Sequence, residues 1–325
     1  MKILIVKKKD SCWPFVEEQV AALMQAMHNA SIGDRRSEIE DLKVEWHLIK
    51  GRGMLAYVRD ILRLMRDIKR EQPDVIHAHY GISGFYACLL TRLMFRKKRV
   101  PIVVTYHGSD INNPKVRKIS QRAIRMADYN IFVSLKLREQ VQCGANSEVL
   151  PCGLNMEDWH EMSKEEARKK MGLSMEKRYV LFSSDFQTAI KNPELAKQAV
   201  ILIKDVELIE LVGYTREQVN ALMHGVDACL MTSFTEGSPQ FIKEAMVCGC
   251  PIVTTRVGDA EYVIGETRGC YFTDYTAEDC AKQLEKALVF AEKHDRTKGR
   301  ERIVELGYDN RVIANKIKGI YEQLV

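Results

Sequence analysis

The sequence predicts an α/β protein built from two doubly wound parallel sheets. Three observations carry the prediction. Short apolar runs alternate with helical stretches along the whole 325-residue chain. The runs are apolar throughout, as strands covered by helices on both faces are. A polar segment near residues 155–178 interrupts the alternation and divides the chain in two. Hydrophobic types make up 46% of the sequence, enough for one large core or two domains of ordinary size.

In the first half the strand candidates are residues 2–6, 45–49, 75–78, 102–106 and 129–133, with a short addition at 150–152. Helices are expected at 15–28, 54–70, 85–95, 116–126 and 135–143. A linker is expected at 153–162, which sets the domains at 1–158 and 159–309. Next, the charged run from Lys164 to Lys170 reads as a surface helix closed by Gly172. Strands at 179–183, 208–212, 228–232, 251–255 and 270–272 follow, with helices at 192–203, 216–224, 239–247 and 277–294. The last stretch, Asn310–Leu324, sets Val312, Ile313, Ile317, Ile320 and Tyr321 at helical spacing.

Composition narrows the setting. No apolar run reaches the roughly 20 residues of a membrane span. The opening run is apolar first and lysine-rich after, the reverse of a secretory signal, so a mature start at residue 1 and a cytoplasmic location are expected. The nine cysteines are scattered, several in core-like segments, which suits reduced thiols; the close pair Cys248 and Cys250 lacks partners for a zinc site. The net charge of +5 is uneven: residues 1–160 hold 26 basic against 18 acidic side chains. A basic first half suggests an anionic partner. Residues 54–70 form a basic amphipathic helix with Leu55, Val58, Ile61, Leu62 and Met65 on one side, and residues 96–99 are a basic run. Together they fit an anionic membrane surface; an ordinary core-facing helix with a solvated basic face fits equally. No stacking platform or groove-reading motif points to nucleic acid.

Ligands of open parallel sheets bind beyond the carboxyl ends of the strands. The most informative such segment runs from Thr232 to Met246. Ser238 suits a helix N-cap and Pro239 the first helical position, so the free first-turn amides and the helix dipole make an anion site. Glu236 precedes the helix and Glu244 lies within it, with seven residues between them. Carboxylates only accept hydrogen bonds, which suits hydroxyl-rich ligands.

These residues resemble the paired-glutamate motif of the GT-B retaining glycosyltransferases of family 4, and the run Gly249, Cys250, Pro251, Ile252, Val253 continues the likeness. The resemblance covers nearly the whole chain and is strongest over 179–258. It implies two Rossmann-like domains facing a central cleft, the last helix returning to the first domain, and a nucleotide-sugar donor, UDP- or GDP-linked, with no cofactor and no metal. Glu236 would approach the donor sugar, Glu244 would hold the ribose, and Lys191 would grip the diphosphate. Backbone around Gly213 and Tyr214 would hold the base, and the amides of Gly237 and Ser238 would face the sugar or the phosphates. The arginine usual after residues 179–182 is replaced by Ser183 or Ser184, so Ser184 offers a hydrogen bond without charge and Lys191 carries more of the leaving group. His107 would touch the donor sugar, and Lys191, Glu236 and His107 would form the catalytic set. On the acceptor side stand Pro14, Phe15, His79 and Tyr80, although the loop before Pro14 lacks the family's glycines. For His77 packing is the expected role. The acceptor implied is a saccharide or lipid-linked saccharide in cell-surface polysaccharide assembly. A nucleotide-sugar epimerase or hydrolase of the same fold, or a scaffold without activity, are the alternatives.

Overall fold

The structure, a computed structural model, describes residues 1–9, 14–33, 43–51, 53–94, 99–294 and 296–325. It divides into two compact units, Met1–Gly153 with Asn310–Val325, and Leu154–Asp309.

The first unit holds strands β1 (Lys2–Lys8), β2 (Lys43–Ile49), β3 (Val75–His79), β4 (Ile102–Tyr106), β5 (Tyr129–Phe132) and β6 (Ser147–Val149). They pair in the order β2-β1-β3-β4-β5-β6, parallel throughout. Helices α1 (Pro14–Gly33), α2 (Gly53–Glu71), α3 (Gly81–Met94), α4 (Ser109–Asn112), α5 (Pro114–Met126) and α6 (Leu135–Glu139) connect them. Alternate strand residues face opposite sides. Leu4, Val6, Ile76, Ala78 and Val104 pack on one face with Leu64, Ile68 and Leu90. Ile3, Ile5, Val75, Val103 and Ile131 pack on the other with Val20, Leu23 and three residues of α14 (Asn310–Leu324): Ile313, Ile317 and Tyr321. The last helix therefore belongs to the first unit.

The second unit opens with α7 (Lys164–Met171) and then holds β7 (Arg178–Phe182), β8 (Val206–Glu210), β9 (Ala228–Met231), β10 (Ile252–Thr255) and β11 (Cys270–Thr273), ordered β11-β10-β9-β7-β8. Its remaining helices are α8 (Pro193–Ile201), α9 (Arg216–Gly225), α10 (Gln240–Val247), α11 (Ala260–Ile264), α12 (Ala277–His294) and α13 (Gly299–Glu305). One face of the sheet packs Leu181, Cys229 and Met231 on Phe241, Ile242 and Met246. The other packs Val180, Phe182, Leu230 and Val253 on Leu195, Ala199, Leu284 and Leu288.

In each sheet the chain reverses its direction of winding once, between β1 and β3 and between β7 and β9. Strand ends at such a reversal leave an open crevice. The loops after β3, β4, β7 and β9 are thus where ligand-binding side chains belong.

Four expectations need correction. The strand expected at 150–152 lies at Ser147–Val149, where it pairs with Asn130, Ile131 and Phe132 of β5. The segment expected as a linker, 153–162, contains buried Leu154 and Trp159, both in the second unit's core. Helix α10 begins at Gln240, with Pro239 in the cap position and no side-chain cap. In α2, Leu55, Val58 and Leu62 are exposed by 67%, 62% and 72%. Ile61 and Met65 of the same expected side pack instead against the core, with Ala56, Tyr57, Leu64 and Ile68. Buried His47 of β2 explains this orientation: its ring sits between Asp60 and Asp67, 2.7 Å from Asp67 Oδ2, and pins that face inward.

Candidate active site

The second unit gathers the expected donor residues from two loops. After β9, Thr232 Oγ1 donates to the carbonyls of Lys191 (2.9 Å) and Asn192 (2.8 Å). The amide of Phe234 donates to the Ile190 carbonyl at 3.0 Å. These bonds tie the loop after β9 to the 3₁₀ turn Ala189–Lys191. Asn192 then takes a left-handed conformation (φ 53°) and Pro193 opens α8, so Lys191 projects from the turn before the helix. The result is an ion pair, Lys191 Nζ to Glu236 Oε1 at 2.6 Å, partly open to solvent.

A third loop supports this pair. Gly258 has φ +55°, and a Cβ there would lie 2.8 Å from the Gly237 carbonyl oxygen. Only glycine lets the loop after β10 lie this close to Glu236 and Gly237. The next residue, Asp259, accepts a 2.7 Å bond from Ser238 Oγ. That bond explains why Ser238 does not cap α10: its hydroxyl is taken by Asp259. Burial raises the Asp259 carboxyl, opposed by the charge of Lys243 and by the Ser238 bond.

Glu244 is nearly buried within α10, and its Oε1 lies 2.6 Å from Arg216 Nη1. Arg216 opens α9 and stacks its guanidinium 5.1 Å from the Trp159 ring centre. The helix start is fixed by a capping box in which the Gln218 amide donates to Thr215 Oγ1 while Gln218 Oε1 accepts from the Thr215 amide. Just before it, Gly213 is left-handed (φ 77°) and Tyr214 is exposed. After β7, Ser183 is half-buried and donates its amide to the Leu230 carbonyl, while the Ser184 carbonyl accepts from Leu211 at 3.0 Å. Neither serine supplies charge.

The first unit builds a second cluster around His107. The Asp110 carboxylate accepts the amides of His107 (3.1 Å), Gly108 (2.9 Å) and Gly81 (3.0 Å). Burial raises Asp110 to about 6, opposed by those amides. The His107 ring lies between Phe15, with centroids 5.4 Å apart, and Tyr80, at 4.7 Å. Its Nε2 is 3.0 Å from His79 Nδ1, and its Nδ1 is 3.8 Å from Cys152 Sγ. Tyr80 holds a left-handed conformation (φ 72°), and α1 begins at Pro14. His77 is buried, 2.5 Å from Tyr321 Oη and 2.7 Å from Thr105 Oγ1. Burial lowers it to about 3. Among the described residues no group of three or more His, Cys, Asp or Glu side chains is arranged to hold a metal ion.

Residues 29–158 match the model of Glycosyltransferase Family 4, and residues 180–289 match that of Glycosyl transferases group 1. The chain belongs to the family 4 glycosyltransferases. It is similar to TuaC of Bacillus subtilis, a glycosyltransferase named for teichuronic acid biosynthesis, with 26% identity over 239 residues. That match covers 65% of this chain and spans 60% of the relative's length. Sucrose-phosphate synthase of Thermosynechococcus elongatus superimposes with a TM-score of 0.79 at 17% identity, covering 100% of this chain and 99% of that one. HepE of Anabaena, solved with UDP and glucose, gives 0.72 at 16% identity, covering 99% and 100%. The fold is the GT-B fold, two Rossmann-like units.

Of the residues expected in this family member's donor site, the structure brings Lys191, Glu236, Gly237 and Ser238 to neighbouring loops of the second unit, with Pro239 and Glu244 on and before α10. Gly213 and Tyr214 stand next to Arg216, the partner of Glu244. In the first unit Phe15, Tyr80 and His107 share one ring cluster, whereas His79 is buried behind His107 instead of lining a surface. The side chain of Pro14 and residues 10–13 and 96–98 lie outside the described residues. Arg216, Asp259 and Asp110 were not singled out from the sequence. A charged residue right after a capping box was the available signal for Arg216. The other two are set by loop contacts that leave no local pattern.

Proposed function

We propose that the protein transfers a sugar, with retention of configuration, from a UDP- or GDP-linked donor to a saccharide or lipid-linked saccharide acceptor, without a metal or cofactor. The observation that carries this reading is the ion pair of Lys191 with Glu236 at 2.6 Å, beside the turn that enters α10. A donor diphosphate brings more negative charge than one carboxylate and competes for Lys191. Glu236 is then released to accept hydrogen bonds from the sugar hydroxyls. Lys191 and the dipole of α10 stabilise the charge that leaves with the diphosphate. Glu244 accepts from the ribose hydroxyls, with Gly213 and Tyr214 at the base. His107, Phe15 and Tyr80 serve the sugar and acceptor. No covalent nucleophile is assigned; positioning and electrostatics do the work.

The name of the Bacillus relative supports a polysaccharide acceptor, and the UDP and glucose bound to HepE support the donor class. Among the described residues no helix is long and apolar enough to cross a membrane. The exposed Leu55, Val58 and Leu62 of α2, beside exposed Arg59 and Arg66, fit peripheral binding to an anionic surface, on the inner face of the plasma membrane in this reading. Incubation with a panel of UDP- and GDP-sugars and lipid-linked saccharides, read by mass spectrometry, tests the proposal: a product heavier by one sugar supports it. Ser183 and Ser184, in place of an arginine, favour a second reading as a scaffold without activity. That reading predicts no product from any donor.

A further inference from the structure

We propose that His79 is a positioning residue that donates its Nδ1 proton to Nε2 of His107 and thereby fixes one neutral tautomer of that ring. The inference deepens the proposed role of His107 at the donor sugar, but the tautomer itself does not depend on it.

His79 ends β3 and is 1% exposed. Its ring lies nearly parallel to those of His77, with centroids 4.5 Å apart, and of His107, at 5.2 Å, which it meets edge to edge. Its Nδ1 makes the 3.0 Å contact with His107 Nε2, and its Nε2 is closed off from solvent without a hydrogen-bond partner. A neutral imidazole carries one proton on one nitrogen. With that proton on Nε2, a buried N–H would be stranded. With it on Nδ1, only a bare lone pair is stranded, and orphaned buried N–H groups are the rarer and costlier case. His79 is therefore the donor in the contact. His107 must accept at Nε2 and carry its own proton on Nδ1, which faces Cys152 Sγ at 3.8 Å, a weak acceptor.

The arrangement also holds His107 neutral. A protonated His107 would set two N–H groups against each other across the 3.0 Å contact unless His79 moved its proton to the stranded nitrogen. The surroundings of His79 offer no help. Burial, then His77, His107 and Lys7, disfavour a charged ring there. Lys7 of β1 is turned to Glu17 of α1 at 2.9 Å, Tyr321 of α14 engages His77, and Asp110 is engaged by backbone amides. His107 consequently offers a ligand its ring edge and backbone carbonyl, and does not carry a proton during the reaction.

Long-range ¹⁵N correlation spectra of the histidine-labelled protein test this, with His107 assigned by its loss in His107→Asn. The expected wild-type pattern is a protonated Nδ1 and a bare Nε2 that do not titrate between about pH 5.5 and 8, a window that spans the ordinary histidine value. His79→Leu should let His107 titrate near the ordinary value of about 6.5 and add an acid limb to the kcat profile at that pH, while His79→Asn, which keeps a donor near the same place, should remove that limb. A wild-type His107 protonated at Nε2, or titrating near 6.5, overturns the inference. The wild-type spectrum decides even if His79→Leu does not fold. It also decides if no sugar transfer is found with any donor, so failure of this inference and failure of the proposed function are separable.

Discussion

Lys191 and Glu236 are both partly exposed, so their ion pair contributes little to stability. The pair matters because of what a donor would do to it. Lys191→Ala should leave the melting temperature within about 2 °C, since exposed pairs are worth at most about 1 kcal/mol. It should lower transfer by about 10²–10³-fold, the usual cost of removing one group that stabilises developing charge. Steady-state assays beside thermal unfolding check both halves. Histidine titration sets a second expectation. His77 is held near 3 by burial, against about 6.5 when unfolded. Between these values the unfolded chain binds the extra proton, so this stability is present above pH 6.5 and is lost as pH falls towards 3. His79 is shifted in the same direction by burial. Asp110, raised to about 6, acts oppositely between about 3.8 and 6, because there the folded form holds the proton. Buried His224 is lowered like His77 and His79, and Asp259 is raised like Asp110; three histidines against two carboxyls should make the melting temperature drop below pH 6, and His77→Gln should flatten that slope. Glu236 and Glu244 were legible because their spacing survives in one dimension, and Lys191 through the family resemblance. Arg216 and Asp259 were not, since each meets its partner only through a loop folded back from another strand.

At the scale of elements, α2 makes the sharpest claim. Its pattern was legible but its facing was not: two apolar stripes compete, and buried His47 on β2 selects the one carrying Asp60 and Asp67. The outward stripe, with Leu55, Val58 and Leu62, is left exposed next to cationic side chains. Wild-type protein should sediment with vesicles containing anionic lipid and be released by salt. Leu55→Asp together with Leu62→Asp should reduce binding at least about tenfold, consistent with the loss of two buried apolar anchors. Equal binding to neutral vesicles, or none to anionic ones, would contradict the docking role. Strands were easier to read than helix ends. Apolar runs mark β3, β4, β9 and β10 directly, whereas α11 and α13 are too short to show periodicity. The start of α10 was misjudged because the capping preference of Ser238 lost to its bond with Asp259.

For the molecule as a whole, two parallel sheets, each with one reversal of winding, put the candidate groups on loops beyond strand ends. That architecture was legible from the alternation of elements. The return of α14 to the first unit came from the family resemblance, and here it is secured by Ile313, Ile317, Ile320 and Tyr321. Tyr321→Phe strands buried His77 Nδ1 and should cost about 1–3 kcal/mol, seen as a lower urea midpoint with an unchanged slope. The most direct test of the account is calorimetric titration of UDP and GDP into wild type and Glu244→Ala. One nucleotide should bind the wild type at a single site, and the substitution should weaken it about tenfold or more, the loss of a charged hydrogen-bond acceptor. Absence of binding by both nucleotides, or equal affinity in the variant, would contradict it.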